Sequence, residues 1–300
     1  MSIGLDGHFL VEKMGRKRLG AFISFNGTGG IWRRLTIDES GGWKSDTLAE
    51  DLDLAYRAQI SGYEIVYLTS TVNLQEIPPT IRCWIIQQKR WAKGFSQNIK
   101  KNLKRFLIFS FKSPSWLTIQ GIIHLTQYLV PFMIIVNTVT TVMLIYSPSF
   151  EGGLFYIIGV LFSFSAICGV LAYSFAIVRG DRSPWDILLI PLFLFWGAGL
   201  VIRMGVGVID GFLRTSGVFE RTPKYNISTD QSNSETINRQ HIPIDKIFFL
   251  EILYILVLFA GILKTFILGG FYIFSTFYFG FLLLSTANLV FSEVLHSISD

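Results

Sequence analysis

Cysteine and charge are used sparingly in this 300-residue sequence. The two cysteines, Cys83 and Cys168, lie in segments of different character and cannot form the framework of a disulfide-stabilised domain. Neither has the neighbouring ligands that a zinc site requires. Charged residues make up 16% of the chain and hydrophobic residues 51%, and this balance excludes a pair of ordinary soluble domains.

The net charge of +5 does not indicate nucleic-acid binding. Its densest part, Lys89 to Lys112, comes immediately before the first long apolar run. Basic residues at such a place are typical of a cytoplasmic membrane border, where they bind anionic lipid headgroups. We therefore expect a lipid bilayer as a partner and no nucleic acid.

Long apolar runs are concentrated after residue 112, and about 20 apolar residues suffice for a helix to cross a bilayer. The five runs are Trp116–Tyr146, Leu154–Val178, Trp185–Ile209, Ile247–Leu268 and Phe271–Phe291. They predict an α-helical multi-pass membrane region over residues 113–300. Residues 1–112 have the composition of a soluble, mildly basic segment.

The third apolar run decides between four and five spans. If it crossed the membrane, the loop 210–246 with its five basic residues would lie outside, which the positive-inside rule disfavours. The run also contains Pro191 and Arg203, which a span accommodates only at a cost. We therefore predict an interfacial or re-entrant helix at 185–209 and a cytosolic loop at 210–246. The spans are then about 116–146, 154–178, 247–268 and 271–291, with five spans as the alternative.

In the soluble part the apolar run Ala21–Phe25 predicts a buried strand, and the β-rich segment Glu64–Leu68 predicts a second strand. The first leads into a polar pattern, Phe-Asn-Gly-Thr-Gly-Gly-Ile-Trp-Arg-Arg at Phe25–Arg34, whose glycines permit positive φ and close backbone approach. Such a segment is either a tight turn or a loop beside a sugar. In the second case Trp32 would stack on the sugar and Arg33 or Arg34 would face phosphate.

A second pattern, Ala-Glu-Asp-Leu-Asp-Leu, occupies Ala49–Leu54. Thr47, three residues before Glu50, predicts a helix that begins with a capping box. That structure would explain Glu50 as a capping partner, but it does not require Asp51. A carboxylate at a helix N-terminus can instead serve as a general base.

A third pattern, Gln-Gln-Lys-Arg-Trp at Gln87–Trp91, lies in a long predicted helix. Gln87 and Trp91 share one helix face, and Arg90 projects beside them. An aromatic ring can cover the apolar face of a pyranose while a guanidinium group neutralises phosphate. An amphipathic helix lying under the membrane explains the same residues equally well.

Together, in this order and spacing, the three patterns resemble the second half of the catalytic domain of processive family 2 glycosyltransferases. This class includes cellulose, mannan and hyaluronan synthases, and the resemblance is closest to the β-mannan/glucomannan synthase-like branch. It implies an α/β fold, a partial GT-A glycosyltransferase domain, on the cytosolic side of the cell membrane. The implied activity is inverting transfer of a sugar from GDP-mannose or UDP-glucose to a growing β-linked polysaccharide.

The resemblance also assigns roles to residues. Asp51 matches the general base, although Ala49 replaces the threonine that usually opens the motif. Thr222 lies in Phe219–Tyr225, which is similar to the Phe-x-Val-Thr gating loop of bacterial cellulose synthase, with Arg221 in place of the valine. The implied substrate-binding residues are Asn26, Gly27, Thr28, Trp32, Arg33, Glu50, Gln87, Arg90, Trp91 and Thr222.

Family members carry an Asp-x-Asp motif for Mg²⁺ or Mn²⁺ in a nucleotide-binding half that precedes these patterns. No such motif precedes Phe25, and Asp51-Leu52-Asp53 stands at the general-base position. We therefore expect that the metal ligands are not in this chain, that Met1 is an internal methionine, and that a separate N-terminal half is a candidate partner. Alone, the chain should be inactive. The alternatives are transfer to a lipid-linked acceptor and a non-catalytic membrane subunit or remnant.

The four-span topology is testable with a cysteine introduced at Ser232, after Cys83 and Cys168 are replaced by serine. A membrane-impermeant thiol reagent should label this cysteine only after the cells are opened. A cysteine at Ser149, in the loop predicted to lie outside, should be labelled on intact cells and serves as the control. Labelling of position 232 from outside would make the third run a span.

Overall fold

The computed structural model describes residues 2–27, 29–71, 73, 75–78, 80–112, 115–147, 168–180, 182–214, 246–268 and 272–299. The helices of the soluble segment are α1 (Ser2–Asp6), α2 (Met14–Leu19), α3 (Arg34–Glu39), α4 (Glu50–Ile60) and α5 (Ile81–Lys112). Those of the apolar segment are α6 (Trp116–Thr126), α7 (Val130–Ile145), α8 (Cys168–Arg179), α9 (Ile190–Gly199), α10 (Val201–Leu213), α11 (Lys246–Leu268) and α12 (Ile273–Ser299). A π-helical stretch, Gly7–Lys13, joins α1 to α2, and 3₁₀ turns at Gln127–Leu129 and Pro184–Leu189 precede α7 and α9.

Three helical segments in the described ranges are long and apolar enough to cross a bilayer: Trp116–Ile145, Lys246–Leu268 and Ser275–Val294. They correspond to the spans predicted at 116–146, 247–268 and 271–291. The helices α9 and α10 form a pair bent by 48°, which makes four spans if the pair counts as one. The span predicted at 154–178 lies mostly outside the described residues. The number of spans therefore stays a prediction.

The predicted strands are not confirmed, because neither Ala21–Phe25 nor Glu64–Leu68 forms a strand in the described part of the chain. A strand requires a neighbour to complete its hydrogen-bond ladder. The backbone of Ile23 is satisfied by one side chain instead: its N–H donates to Gln59 Oε1 (2.9 Å) and its carbonyl accepts from Gln59 Nε2 (2.8 Å). The first run is nevertheless buried, as the sequence predicts.

The soluble segment and the first apolar helix share one hydrophobic core. Its buried members are Phe22, Leu52, Tyr56, Ile99, Phe106 and Leu125. The Tyr56 hydroxyl donates to the Gly121 carbonyl (3.1 Å) and pairs with His124 Nδ1 (2.6 Å). A side chain at Gly121 would place its Cβ 2.4 Å from Phe106. The polar His124 in an apolar run is thus explained by the junction between the soluble and membrane parts.

Polar side chains deeper in the apolar helices also pair between helices. The Thr138 and Tyr254 hydroxyls lie 3.1 Å apart, and Thr276 donates to Thr265 at 2.8 Å. Hydrogen bonds of this kind hold membrane helices together. They agree with the interpretation that polar residues here serve helix packing.

A buried ion pair stabilises α4. Arg57 donates to Asp53 Oδ2 at 2.9 Å, and the two side chains are 4% and 0% exposed. Asn102 of α5 donates to Asp53 Oδ1 at 2.8 Å, and Lys101 Nζ lies 3.0 Å from Asp53 Oδ2. Burial alone would raise the pKa of Asp53, but hydrogen bonds from Asn102, Arg57 and Lys101 outweigh it and lower this pKa. Asp53 therefore has a structural role, which the sequence did not predict.

Asp53→Asn should destabilise the fold by roughly 3–5 kcal/mol, because it leaves the buried Arg57 without its charged partner. The matched control is Asp38→Asn, since Arg34 and Asp38 form an exposed pair with 95% and 64% exposure at 3.7 Å. That change should cost less than about 0.5 kcal/mol. Denaturant unfolding in detergent measures both.

The Asp53 effect should also depend on pH. The folded-state pKa of Asp53 is lowered, so its stabilising contribution is present above the unfolded-state pKa and is lost as pH falls through the folded-state pKa. The difference between wild type and Asp53→Asn should therefore shrink on acidification. A difference that grows at low pH, or equal effects of the two variants, would contradict the assignment.

Candidate active site

Helix α4 does not begin with a capping box, so that prediction is wrong. The helix starts at Glu50, its N-cap is Ala49, and no side chain caps it. The amide groups of α5 instead hold the two residues before the helix: Asn98 Nδ2 donates to the Ala49 carbonyl (2.9 Å), and Gln97 Oε1 accepts from the Leu48 N–H (2.8 Å). Glu50 therefore does not serve as the capping partner that the sequence suggested.

The carboxylate of Asp51 is held at the first turn of α4. Its Oδ2 accepts a hydrogen bond from the Gly27 N–H (2.7 Å), and its Oδ1 accepts one from the Leu52 N–H (2.8 Å). Gly27 has φ +41°, a conformation that favours glycine. The glycine-rich loop, Phe25–Arg34, therefore meets α4 at this carboxylate, as expected for neighbouring parts of one site.

Lys13 is a residue of this site that the sequence did not reveal. The side chain is buried, and its ammonium group donates to the Ser24 carbonyl (2.8 Å) and to the Asn26 side-chain oxygen. Burial lowers the pKa of Lys13 to about 8, although Glu12 and Asp51 favour the charged form. Because its partners lie more than ten residues away, no local pattern could have identified it.

Helix α5 brings Arg90 towards the same carboxylates. Burial lowers the pKa of the Arg90 guanidinium, while the charges of Glu50 and Asp51 oppose this change. Gly94, one turn further along α5, permits the approach, since a Cβ there would lie 3.0 Å from the Ala49 Cβ. Gln87 and Trp91 flank Arg90 on α5 and are half-buried.

The other predicted residues lie further along the glycine-rich loop. The Trp32 ring is 4.8 Å from Phe25 and 6.3 Å from Trp43, so it belongs to an aromatic cluster. Trp43 is 46% exposed and follows two glycines with positive φ. It is not among the site residues that the sequence predicts. Arg33 is exposed immediately before α3. Thr28 and Thr222 lie outside the described residues.

Trp32 Nε1 and Gln87 Oε1 are buried polar atoms that have no hydrogen-bond partner among the described residues. One is a donor and the other an acceptor. Buried polar groups in native proteins are nearly always hydrogen-bonded, so each calls for an explanation. A bound molecule with hydroxyl groups would satisfy both.

A metal site is not found in the described ranges. They contain no group of three or more His, Cys, Asp or Glu side chains that could hold an ion. Asp53, the second aspartate of the only Asp-x-Asp spelling near the site, is already engaged by Arg57, Asn102 and Lys101. The residues present thus do not fit the Mg²⁺ or Mn²⁺ that the resemblance implies.

Comparison with known proteins identifies the family. The family model "Glycosyl transferase family group 2" matches residues 7–200, more than half of the chain. The chain therefore belongs to this glycosyltransferase family, and the resemblance drawn from its three patterns is confirmed. No solved structure matches.

The curated relatives include proteins of plants that are named as glucomannan 4-beta-mannosyltransferases. A probable glucomannan 4-beta-mannosyltransferase 6 of Oryza sativa subsp. japonica is 46% identical over 99 residues, which are 33% of this chain and 17% of the relative. Glucomannan 4-beta-mannosyltransferase 2 of Arabidopsis thaliana is 43% identical over 33% of this chain and 18% of its own length. Glucomannan 4-beta-mannosyltransferase 9 of Arabidopsis thaliana is 38% identical over 41% and 22%. The matched region thus spans about a fifth of the length of these relatives.

The lowered pKa of Lys13 gives a test of its burial. Between about pH 8 and its ordinary value of 10.5 the folded state binds fewer protons than the unfolded state, so stability should rise with pH there. Relative to Lys13→Met, wild type should gain up to about 1.4 kcal/mol per pH unit. Lys17→Met, at an exposed position of the same helical segment, should show no such gain. Denaturant unfolding at pH 7.5 and 9.5 measures this, and a pH-independent difference between wild type and Lys13→Met would contradict it.

Proposed function

We propose that this chain supplies the acceptor side of a membrane-embedded, inverting glycosyltransferase. The enzyme transfers a sugar from a nucleotide sugar to a growing β-linked polysaccharide. The observation that carries this proposal is the position of Asp51, which lies at a helix start, between the glycine-rich loop and the charged part of α5.

In the proposed reaction Asp51 takes the proton from the attacking hydroxyl of the acceptor sugar. The hydroxyl oxygen forms a bond to the anomeric carbon of the donor while the bond from that carbon to the diphosphate oxygen breaks. Attack from the face opposite the diphosphate inverts the anomeric configuration. Arg90 would stabilise the negative charge that develops on the departing nucleoside diphosphate.

The acceptor sugar would lie between the glycine-rich loop and α5. Trp32 Nε1 and Gln87 Oε1 are buried without a described partner, and sugar hydroxyls can accept from the first and donate to the second. Trp91, four residues after Gln87 on α5, would stack on the apolar face of the sugar. Asn26, Thr28, Arg33 and Glu50 complete the proposed substrate contacts.

The donor is proposed from the relatives. Because they are named mannosyltransferases, we place GDP-mannose ahead of UDP-glucose. Contacts to the nucleotide base and to a divalent metal would come from residues other than those described here, for example from a separate N-terminal half. The reaction steps above use none of those contacts.

The contacts of α10 support a position of the start of loop 210–246 on the same side as the catalytic segment, which we propose is the cytosolic side. Lys93 of α5 forms a 2.6 Å ion pair with Asp210. Gln97 donates to the Arg214 carbonyl at 3.0 Å, and Lys100 donates to the Phe212 carbonyl at 3.0 Å. The loop thus starts on the side where the site lies. We propose that Thr222 in this loop contacts the substrate and that the glycan leaves through the membrane helices.

Asp51→Asn should abolish measurable transfer while nucleotide-sugar binding persists, because the amide cannot accept the proton. General bases contribute on the order of 10²–10⁴-fold to rate. The assay is incorporation of labelled sugar by membranes in which wild type is active, paired with labelled-donor binding. Asp46→Asn is the control, since Asp46 is 57% exposed and pairs with Lys101. Near-normal turnover of Asp51→Asn would contradict the assignment of Asp51 as the general base.

A further inference from the structure

A buried ion cluster joins three helices of the apolar segment. Arg203 of α10 donates to both carboxylate oxygens of Glu251 on α11, at 2.9 and 3.0 Å. It also donates to Glu293 of α12 at 2.6 Å. The Arg203 side chain is 7% exposed, and those of Glu251 and Glu293 are 0% and 21% exposed.

Such a cluster is expensive to bury, and ionisable residues within apolar helices usually have a function. Its place in the chain indicates which function. Arg203 follows the break between α9 and α10 at Leu200, Glu251 lies near the start of α11, and Glu293 lies near the end of the apolar part of α12. The cluster therefore fixes the first turn of α10 to the last two candidate spans.

The part of α10 that follows Arg203 packs closely against α5. A Cβ at Gly207 would lie 2.6 Å from the Lys89 carbonyl, and one at Gly211 would lie 2.5 Å from the Lys93 carbonyl. The two glycines thus allow the backbones of the two helices to touch. The ion pair between Lys93 and Asp210 fixes their register.

The contacted part of α5 is the part that carries the sugar-binding pattern. Lys89, which touches Gly207, lies between Gln87 and Arg90. A hydrophobic cluster of Ile85, Leu200 and Leu289, with Met204 of α10 packed against it, also connects α5 to the start of α10 and to α12. Displacement of α10 would therefore displace the turn that holds Gln87, Arg90 and Trp91.

We propose that Arg203 is a positioning residue for sugar transfer: through α10 it holds the Gln87–Trp91 turn of α5 in register with Asp51. This inference rests on the proposed function. Arg203 touches no reacting atom and acts by geometry. Its planar guanidinium group makes two parallel hydrogen bonds to Glu251, which a lysine cannot reproduce.

The first measurement is kinetic. Arg203→Met and Arg203→Lys should both reduce kcat/KM for the acceptor, Arg203→Met on the order of 10²-fold, because small displacements of a substrate-positioning group have effects of that size. Arg214→Met is the matched control, since Arg214 lies at the end of the same helix, is 74% exposed and pairs with Asp210. It should leave kcat/KM within about twofold of wild type. Equal kinetics of Arg203→Met and wild type would overturn the proposal.

The second measurement does not depend on activity, so it separates failure of this inference from failure of the proposed function. Cysteines replace Lys100 and Phe212, another contact between α5 and α10, in a chain whose Cys83 and Cys168 are changed to serine, so that the Lys93–Asp210 pair stays intact. A short bifunctional thiol reagent should join them efficiently when Arg203 is present and several-fold less in Arg203→Met. An unchanged yield overturns the proposal, even if the parent protein transfers no sugar.

Loss of folding in Arg203→Met is separated from loss of positioning by a milder variant. Glu293→Gln removes the partly exposed member of the cluster and leaves the pair of Arg203 with buried Glu251. Cross-linking and kcat/KM should fall together in this variant, while its unfolding midpoint in detergent stays close to that of wild type. A fall in cross-linking with unchanged kcat/KM would overturn the positioning role.

Discussion

Three buried amide side chains on one face of α5 set the geometry on which the site depends. Gln97, Asn98 and Asn102 are removed from water, and an unsatisfied group of this kind would cost about 1–3 kcal/mol. Their hydrogen bonds go to Leu48, Ala49 and Asp53, that is, to the start of α4 and its first turn. These hydrogen bonds favour one position of the α4 N-terminus on α5, and that position determines where Asp51 lies.

The same helix also binds the apolar segment, so the site and the membrane helices form one mechanical unit. Phe106, near the end of α5, packs against Gly121 of α6, and the Lys89 and Lys93 carbonyls lie against the glycines of α10. A helix with buried contacts on both sides cannot shift against one neighbour without disturbing the other. This arrangement suits the proposed function, in which a growing chain would stay aligned between the site and the candidate membrane helices.

The sequence predicted what depends on local pattern and missed what depends on distant partners. The long helix carrying Gln87–Trp91 and three helices long and apolar enough to cross a membrane could be predicted from spacing and periodicity. The capping box failed because the helix begins at Glu50 with Ala49 as its N-cap, and amides of α5, some 50 residues away, hold Leu48 and Ala49 in place. The role of Lys13 and the partners of Arg203 could not be predicted for the same reason, since their contacts lie 11 to 90 residues away along the chain.

The size of the product tests the central claim most directly. Membranes carrying the protein, together with any partner that it needs, would be supplied with labelled GDP-mannose and, separately, UDP-glucose. The account predicts a labelled polymer that a β-mannan-degrading or β-glucan-degrading endoglycosidase cuts to short oligosaccharides, and that disappears in Asp51→Asn membranes. A product in which one sugar is added to an extractable lipid would contradict it.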